Sequence, residues 1–293
     1  MVRKSDWIIT LVLIIIFLFV FISFFSIVFK FGYYSSDLKS PGSKIAVVDI
    51  NGPIFRSERI VKQLKKYGKE RSVKGIVLRL ETPGGSVSAT QEIYEEVRKV
   101  KEKGKKIVAS MGNVAASGGY YIACGADVIM ANPGTITGSI GVIAEFPNLV
   151  KLYDKLGIKF ETIKSGKFKD TGSPNRNMSD EERKYLQGLI NDSYGEFLKV
   201  VMKERKLPEE KALKLADGRI YSGKMAKNFG LIDTLGTFED AISLAKKLAG
   251  VREDARVIRE KRRIISLFDI LFGDIDEFLF RMRKNIRLDY IIN

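Results

Sequence analysis

Between Ile45 and Met130 the chain alternates apolar runs with amphipathic stretches, and this pattern constrains the fold more than any other feature. Apolar runs at 45–50, 74–80 and 106–111 have the length and the β-branched content of buried strands, whereas residues 88–103 carry apolar side chains at helical spacing. Strands that alternate with helices form parallel sheets covered by helices. The sequence therefore predicts an α/β fold, in which ligands bind at the carboxyl ends of the strands.

Two glycine-rich segments directly follow predicted strands. Thr82-Pro-Gly-Gly-Ser86 follows the second strand, and Ala115-Ala-Ser-Gly-Gly119 follows the third. A serine at the start of a helix, between small residues, has an accessible hydroxyl and nearby outward-pointing N–H groups, as a serine nucleophile requires. Each segment taken alone is equally consistent with a turn that lets a helix pack closely on a sheet.

The residue types present limit the possible chemistry. The chain has no histidine, which excludes Ser-His-Asp and Cys-His mechanisms. A serine nucleophile would then need another base, and a lysine can act as one where burial or a nearby cation lowers its pKa. Lys164, Lys167 and Lys169 end or follow a predicted strand at 159–164, and spacing alone does not choose among them. The single cysteine, Cys124, excludes an internal disulfide and fits a small buried residue.

Residues 7–29 form an apolar run without a charged side chain, long enough for a helix to cross a bilayer. No small-residue cleavage site is evident, so the run predicts an uncleaved anchor. Basic residues before it favour a cytoplasmic amino terminus. We therefore expect a single-pass cell-membrane protein with its main domain on the extracytoplasmic side. The predicted organisation is a stub and anchor at 1–30, a tether at 31–43, an α/β domain at 44–249 and a charged, amphipathic tail at 250–293.

The carboxyl-terminal tail and the net charge indicate which kinds of molecule the chain would bind. Apolar residues between Leu267 and Met282 recur at helical spacing, so we expect a helix that packs on its own domain, on a neighbouring subunit or on the membrane surface. The formal net charge is +15, which suits nucleic acid or an anionic membrane. No zinc spacing, RNA-binding signature or helix-turn-helix pattern is evident, and the apolar run makes the membrane the simpler partner. No metal, nucleotide or flavin motif is evident, and no cofactor is expected.

Five ordered motifs, which lie between residues 82 and 233, resemble the signal peptide peptidase A family in its short, single-domain form. They are residues 82–86, 115–121, 137–142, 164–170 and 216–223 with 230–233. Members of this family are membrane-bound serine proteases with a Clp-protease/crotonase-like fold. The resemblance covers about residues 44–248 and identifies the 44–249 domain as a Ser-Lys protease domain.

The resemblance also implies roles for individual residues. Ser117 would be the nucleophile, Lys169 the general base, and the N–H groups of Gly85 and Gly118 the oxyanion donors. Ser139 would hold the lysine amine in place. This role suits a neutral amine, which must point its lone pair at the proton it takes and has N–H groups that need an acceptor. The implied enzyme is an endopeptidase that forms an acyl-enzyme and degrades remnant signal peptides and other membrane-associated peptides. A homo-oligomer is also implied, in which Lys169 can reach the serine of a neighbouring subunit.

Three other interpretations stay open from the sequence. A relative that cleaves stomatin-type membrane scaffold proteins would share the Ser-Lys pair and the anchor. An acyl-CoA-binding crotonase relative would use the same glycines to hold a thioester enolate. A non-catalytic membrane scaffold would not depend on Ser117 at all.

Overall fold

The computed structural model describes residues 17–19, 21–22, 42–260 and 289–291. The chain divides into one unit at Met1–Gly42 and a second at Ser43–Asn293. In the first unit, residues 17–19 and 21–22 are helical with exposed side chains. Within the described ranges, no helix has the length and apolar character needed to cross a bilayer. Most of the predicted anchor at 7–29 lies outside those ranges, so the anchor stays a prediction.

The second unit is built on strands that are numbered in chain order. They are β1 Lys44–Asn51, β2 Val73–Thr82, β3 Gly84–Ser86, β4 Lys106–Ala116, β5 Val128–Ala131, β6 Ile136–Gly138, β7 Ile220–Ser222, β8 Thr234–Leu235, β9 Arg256–Arg259 and β10 Asp289–Ile291. Eight of them form one sheet in the order β7-β6-β4-β2-β1-β9, in which β5 also pairs with β4, and β8 pairs with β5. All pairs in this sheet are parallel except β6–β7. The mainly parallel α/β architecture predicted from the sequence is therefore confirmed.

Helices cover both faces of the sheet. They are α1 Glu58–Lys69, α2 Val87–Glu102, α3 Gly118–Cys124, α4 Val150–Leu156, α5 Asp180–Arg205, α6 Glu209–Leu215, α7 Gly223–Phe229 and α8 Phe238–Leu248. Successive side chains of a strand point to opposite faces. In β1, Ile45 and Val47 accordingly pack in one cluster with α8, whereas Ala46 and Val48 belong to the larger core with α1, α2 and α3. A sheet buried on both faces explains why its strands are continuously apolar.

The end of β4 is where three strands meet. The first half of β4 pairs with β5, and its last residues, Val114 to Ala116, pair with β6. On its other side, Ala115 is in register with Thr82, the last residue of β2. The segments that follow β2, β4 and β6 therefore lie next to one another at the carboxyl edge of the sheet.

The predicted strand at 159–164 is not formed, which corrects the sequence interpretation. Residues 158–164 have no regular secondary structure, and every side chain from 157 to 169 is exposed. The preceding helix α4 has no buried residue either. Alternating apolar and charged residues favour an extended chain, but a strand needs a neighbour to satisfy its N–H and C=O groups. Within the described part of the chain, no strand pairs with this segment.

Two strands lie beyond the predicted end of the α/β domain. β9 extends the sheet by pairing with β1, and β10 pairs antiparallel with β3, where Tyr290 is in register with Gly85. The carboxyl-terminal region thus contributes backbone to the domain. The amphipathic helix predicted near 267–282 lies outside the described residues.

Candidate active site

Ser117 occupies the turn between the end of β4 and the start of α3. Its backbone has φ of 52° and ψ of −115°, a conformation that side-chain-bearing residues adopt at a cost of about 1–3 kcal/mol. The N–H group of Ser117 donates to the carbonyl of Gly138 at 2.7 Å, and Tyr121 N–H donates to the Ser117 carbonyl at 2.9 Å. These bonds join β6 and the first turn of α3 to the serine, so the strained conformation is fixed by its surroundings.

The hydroxyl of Ser117 is buried, and it has no partner within the described ranges. The residue is only 1% exposed, and its Oγ makes no hydrogen bond to any described residue. Leaving a buried hydroxyl unpaired costs about 1–3 kcal/mol. A strained residue with an unpaired hydroxyl at the edge of an α/β sheet indicates a site built to contact something else.

Gly85 and Gly118 lie directly beside each other at this serine. A Cβ built on Gly118 would be 3.3 Å from the backbone nitrogen of Gly85 and 3.3 Å from the Cα of Gly84. Gly85 has φ of +156°, and a Cβ on it would lie 2.2 Å from the carbonyl oxygen of Ile54. A side chain on Gly85 would clash with the backbone of Ile54, and a Cβ on Gly118 would clash with the Thr90 hydroxyl at 2.7 Å, so both positions favour glycine. The two predicted oxyanion donors share one small region of backbone.

Ser139 follows β6 as Ser117 follows β4, so the two serines occupy adjacent strand ends. Ala116 is in register with Gly138. Ser139 also has positive φ, at 51°, and its N–H group donates to the carbonyl of Arg219 at 2.9 Å. The side chain is 7% exposed. The structure thus brings Ser139 to the same edge as Ser117, Gly85 and Gly118.

Lys169 is the one predicted site residue whose side chain is exposed. It lies in a series of turns between residues 165 and 172, and its N–H group donates to the Gly166 carbonyl at 3.1 Å. Its side chain is exposed, and no hydrogen bond or ion pair joins its Nζ to another described residue. Of the two alternative lysines, Lys164 is paired with Asp170 at 2.6 Å, and Lys167 is paired with Glu181.

Cys124 is excluded as a competing nucleophile. It lies at the end of α3, is 2% exposed, and burial raises the pKa of its thiol to about 12. The thiol therefore stays protonated at neutral pH, and only a thiolate is a good nucleophile. The prediction of a small buried residue is confirmed. Within the described ranges, His, Cys, Asp and Glu side chains form no group of three suited to a metal ion.

Two polar groups near the site were missed by the sequence interpretation. Thr90, on α2, is fully buried, and its Oγ1 has no hydrogen-bond partner within the described part of the chain. That oxygen is 2.7 Å from the place of a Cβ on Gly118. Arg176 binds the carboxylate of Asp170, next to Lys169. Thr90 could have been noticed in the sequence because it places a hydroxyl on the apolar face of α2. Arg176 could not, because an arginine in a polar loop is ordinary.

A cavity of about 690 Å³ opens beside the glycine pair, between the start of α2 and the middle of α5. Its walls include Ser86, Val87 and Gln91 on one side and Asn191 and Glu196 on the other. Ser86 directly follows Gly85 in β3.

Comparison with protein families agrees with this arrangement. Residues 99–252 match the model of peptidase family S49, and residues 44–135 match that of Clp protease. The chain belongs to peptidase family S49. It is thus a member of a family of serine-type peptidases, and the second match agrees with the Clp-like α/β domain. The resemblance noted from the five motifs is confirmed at the level of the family.

Individual relatives support the assignment of this S49 family member. A protein of Synechocystis sp., provisionally named a protease, is 46% identical over 217 residues, which cover 73% of this chain and 78% of the relative. A protein of Enterococcus faecium, provisionally named signal peptide peptidase SppA, is 39% identical over 231 residues, which cover 74% of this chain and 67% of the relative. Protease 4 of Haemophilus influenzae is 35% identical over 226 residues, and the match covers only 36% of that longer protein.

The contact between the two glycines leads to a first prediction for the S49 chain. In Gly118→Ala, the new Cβ would meet Thr90 Oγ1 at 2.7 Å and the Gly84–Gly85 backbone at 3.3 Å. The two N–H groups would be pushed apart, and loss of one oxyanion donor typically lowers kcat by about 10²–10³-fold. Peptide hydrolysis by Gly134→Ala serves as the matched control, because a Cβ there has nothing within 4 Å. Equal activity of both variants would contradict an oxyanion role for this region.

Proposed function

We propose that this chain is a membrane-anchored serine endopeptidase that uses a Ser117–Lys169 dyad. The observation that carries the proposal is the buried Ser117 hydroxyl, which lies beside the Gly85–Gly118 backbone and has no hydrogen-bond partner in the described part of the chain. Unpaired buried hydroxyls are rare unless a ligand or reaction uses them. The family membership makes a peptide bond the natural reactant.

The reaction follows from the roles of these groups. A neutral Lys169 amine takes the proton of Ser117 as Oγ attacks the peptide carbonyl, and the N–H groups of Gly85 and Gly118 stabilise the oxyanion that forms. The lysine then protonates the leaving amine, and an ester joins the peptide to Oγ. Water, activated by the same lysine, hydrolyses the ester and restores the enzyme. The Ser139 hydroxyl orients the amine during these proton transfers.

The exposed environment of Lys169 supports a site completed by a second copy of the chain. A lysine becomes a base when it is removed from water, and residues 157–169 are all exposed in one chain. Residues 156–168 present large apolar side chains to solvent, namely Leu156, Ile158, Phe160, Ile163 and Phe168. A neighbouring copy that covers this segment would bury apolar area and Lys169 together. We therefore propose a homo-oligomer in which Lys169 serves the Ser117 of its neighbour.

The proposed substrates are remnant signal peptides and other membrane-associated peptides. Two observations support them: the charge-free run at residues 7–29, which would hold the enzyme at the cell membrane, and a relative named for signal peptide hydrolysis. The domain after the anchor would lie on the extracytoplasmic side.

The substrate proposal is tested with the full chain in lipid vesicles. We expect cleavage of a synthetic signal peptide, measured by mass spectrometry of the products, and loss of that cleavage in Ser117→Ala. An apolar segment of a stomatin-type scaffold protein and a CoA thioester are incubated in parallel. Faster cleavage of the scaffold segment, or turnover of the thioester without dependence on Ser117, would contradict the proposed substrate.

A further inference from the structure

One arginine binds the residue that follows Lys169 in its loop. Arg176 Nε and Nη2 donate to the two carboxylate oxygens of Asp170, each at 2.8 Å, and Nη2 also donates to the Asp170 carbonyl at 3.1 Å. On its other side, Arg176 Nη1 donates to Glu182 Oε2 at 2.9 Å, and Nη2 contacts Glu182 Oε1. One guanidinium thus joins the residue after Lys169 to the first turn of α5.

The α5 end of this connection is rigid. The side chain of Glu182 is only 4% exposed, and its carboxylate also accepts from Ser179 N–H at 2.9 Å and from the Thr171 hydroxyl at 3.1 Å. Ser179 and Glu182 form a capping box at the start of α5. Arg176 lowers the pKa of the carboxyl groups of both Asp170 and Glu182 well below their usual range, mainly through these hydrogen bonds. Both carboxylates stay ionised at neutral pH.

The other contacts from this loop to α5 beside Lys169 are made by exposed side chains: Lys167 is paired with Glu181, and the Phe168 ring lies 5.2 Å from the Tyr185 ring. Residues 157–169 have exposed side chains, and burial resumes at Thr171, which is 7% exposed. Lys164 Nζ adds a contact to Asp170 at 2.6 Å, but both of these residues belong to the loop. Among the described side chains that bind Asp170, Arg176 is therefore the one that connects it to a helix outside the loop.

We infer that Arg176 is a positioning residue, which fixes the backbone at Asp170 so that Lys169 projects at the correct place to act as base. The inference rests on the proposed role of Lys169. A planar guanidinium suits this position because it can bind two carboxylates and a carbonyl at once, whereas an ammonium cannot reproduce the fork. A shift of about 1 Å in a catalytic group can cost about 10²-fold in rate.

The inference is tested on the purified full chain with Arg176→Gln, Arg176→Lys and Asp170→Asn. Active sites are counted by complete reaction with a serine-directed covalent probe, and kcat is expressed per labelled site. We expect kcat to fall about 10²-fold in all three variants, with KM changed less than about threefold. The double variant Asp170→Asn with Arg176→Gln is expected to lose no more kcat than either single variant, since each single substitution already breaks the contact between Asp170 and Arg176.

A purely structural role predicts a different result. Fewer labelled sites and a lower melting temperature, with wild-type kcat per site, would overturn the inference, and so would full activity of Arg176→Lys. The matched control is Arg252→Gln, because Arg252 makes a similar fork to Asp254, at 3.0 and 2.8 Å, far along the chain from Lys169. This variant is expected to keep wild-type kcat.

Lys169→Ala in the same assay distinguishes a failure of the positioning role of Arg176 from a failure of the assignment of Lys169 as base. If Lys169→Ala is inactive and Arg176→Gln is fully active per site, the positioning role fails while the proposed function stands. If Lys169→Ala keeps wild-type kcat, the assignment of the base fails and the role of Arg176 fails with it.

Discussion

Replacing Ser117 with alanine is expected to abolish peptide hydrolysis and covalent labelling by a serine-directed probe. Removal of the nucleophile leaves only binding and oxyanion stabilisation, and in a well-studied serine protease this change lowers kcat about 10⁶-fold. Rates of signal-peptide cleavage and probe incorporation by mass spectrometry measure the effect. Equal labelling of wild type and variant would contradict the assignment of Ser117.

The same substitution is expected to leave the protein at least as stable as wild type. The Ser117 hydroxyl is buried and has no partner among the described residues, so its removal relieves an unpaired polar group worth about 1–3 kcal/mol. A melting temperature equal to or above that of wild type would separate loss of chemistry from loss of fold. Cys124→Ala is the matched control for labelling, because Cys124 is the only cysteine and its thiol is buried.

Replacing Lys169 with alanine is expected to lower kcat by about 10²–10⁴-fold, the usual contribution of a general base. Lys167→Ala is the matched control, because Lys167 lies two residues away, is exposed and is paired with Glu181. We expect it to keep nearly wild-type activity, measured with the same peptide substrate. Activity lost in Lys167→Ala and kept in Lys169→Ala would move the base to Lys167.

Mixing the two inactive variants tests whether Lys169 acts on a neighbouring copy. In a closed ring of randomly mixed Ser117→Ala and Lys169→Ala subunits, about one quarter of the interfaces would pair an intact serine with an intact lysine. An equimolar mixture should therefore recover up to about a quarter of wild-type activity if the dyad forms between subunits. No recovery, after subunit exchange has been verified by mass spectrometry, would mean that both residues act within one chain.

Much of the fold was predictable because its signals are local. The strand interpretations at 45–50, 74–80 and 106–111 correspond to β1, β2 and β4, and the helix expected at 88–103 is α2 at Val87–Glu102. Continuous apolar runs arise when a strand is buried on both faces, so composition and length identify them without knowledge of the partner. The capping box at Ser179 was predictable for the same reason, since both of its residues lie within one turn.

The strand predicted at residues 159–164 does not form, and the physical reason cannot be read from the sequence. Alternating side chains permit a strand, but a strand forms only where another edge is available to pair with it. The described part of the chain pairs no strand with this segment, and its side chains stay exposed. Such pairing depends on the position of distant residues.

The sequence by itself determined that the chain has an α/β domain, that histidine chemistry is impossible, and that Ser117 follows a buried strand. These conclusions need only local patterns and residue types. The tertiary structure alone decided that Gly118 lies against Gly85, that Thr90 fills the space beside them, and that Arg176 joins Asp170 to Glu182. Each of these contacts is set by strand register and helix packing, which bring together groups whose separation along the chain carries no signal.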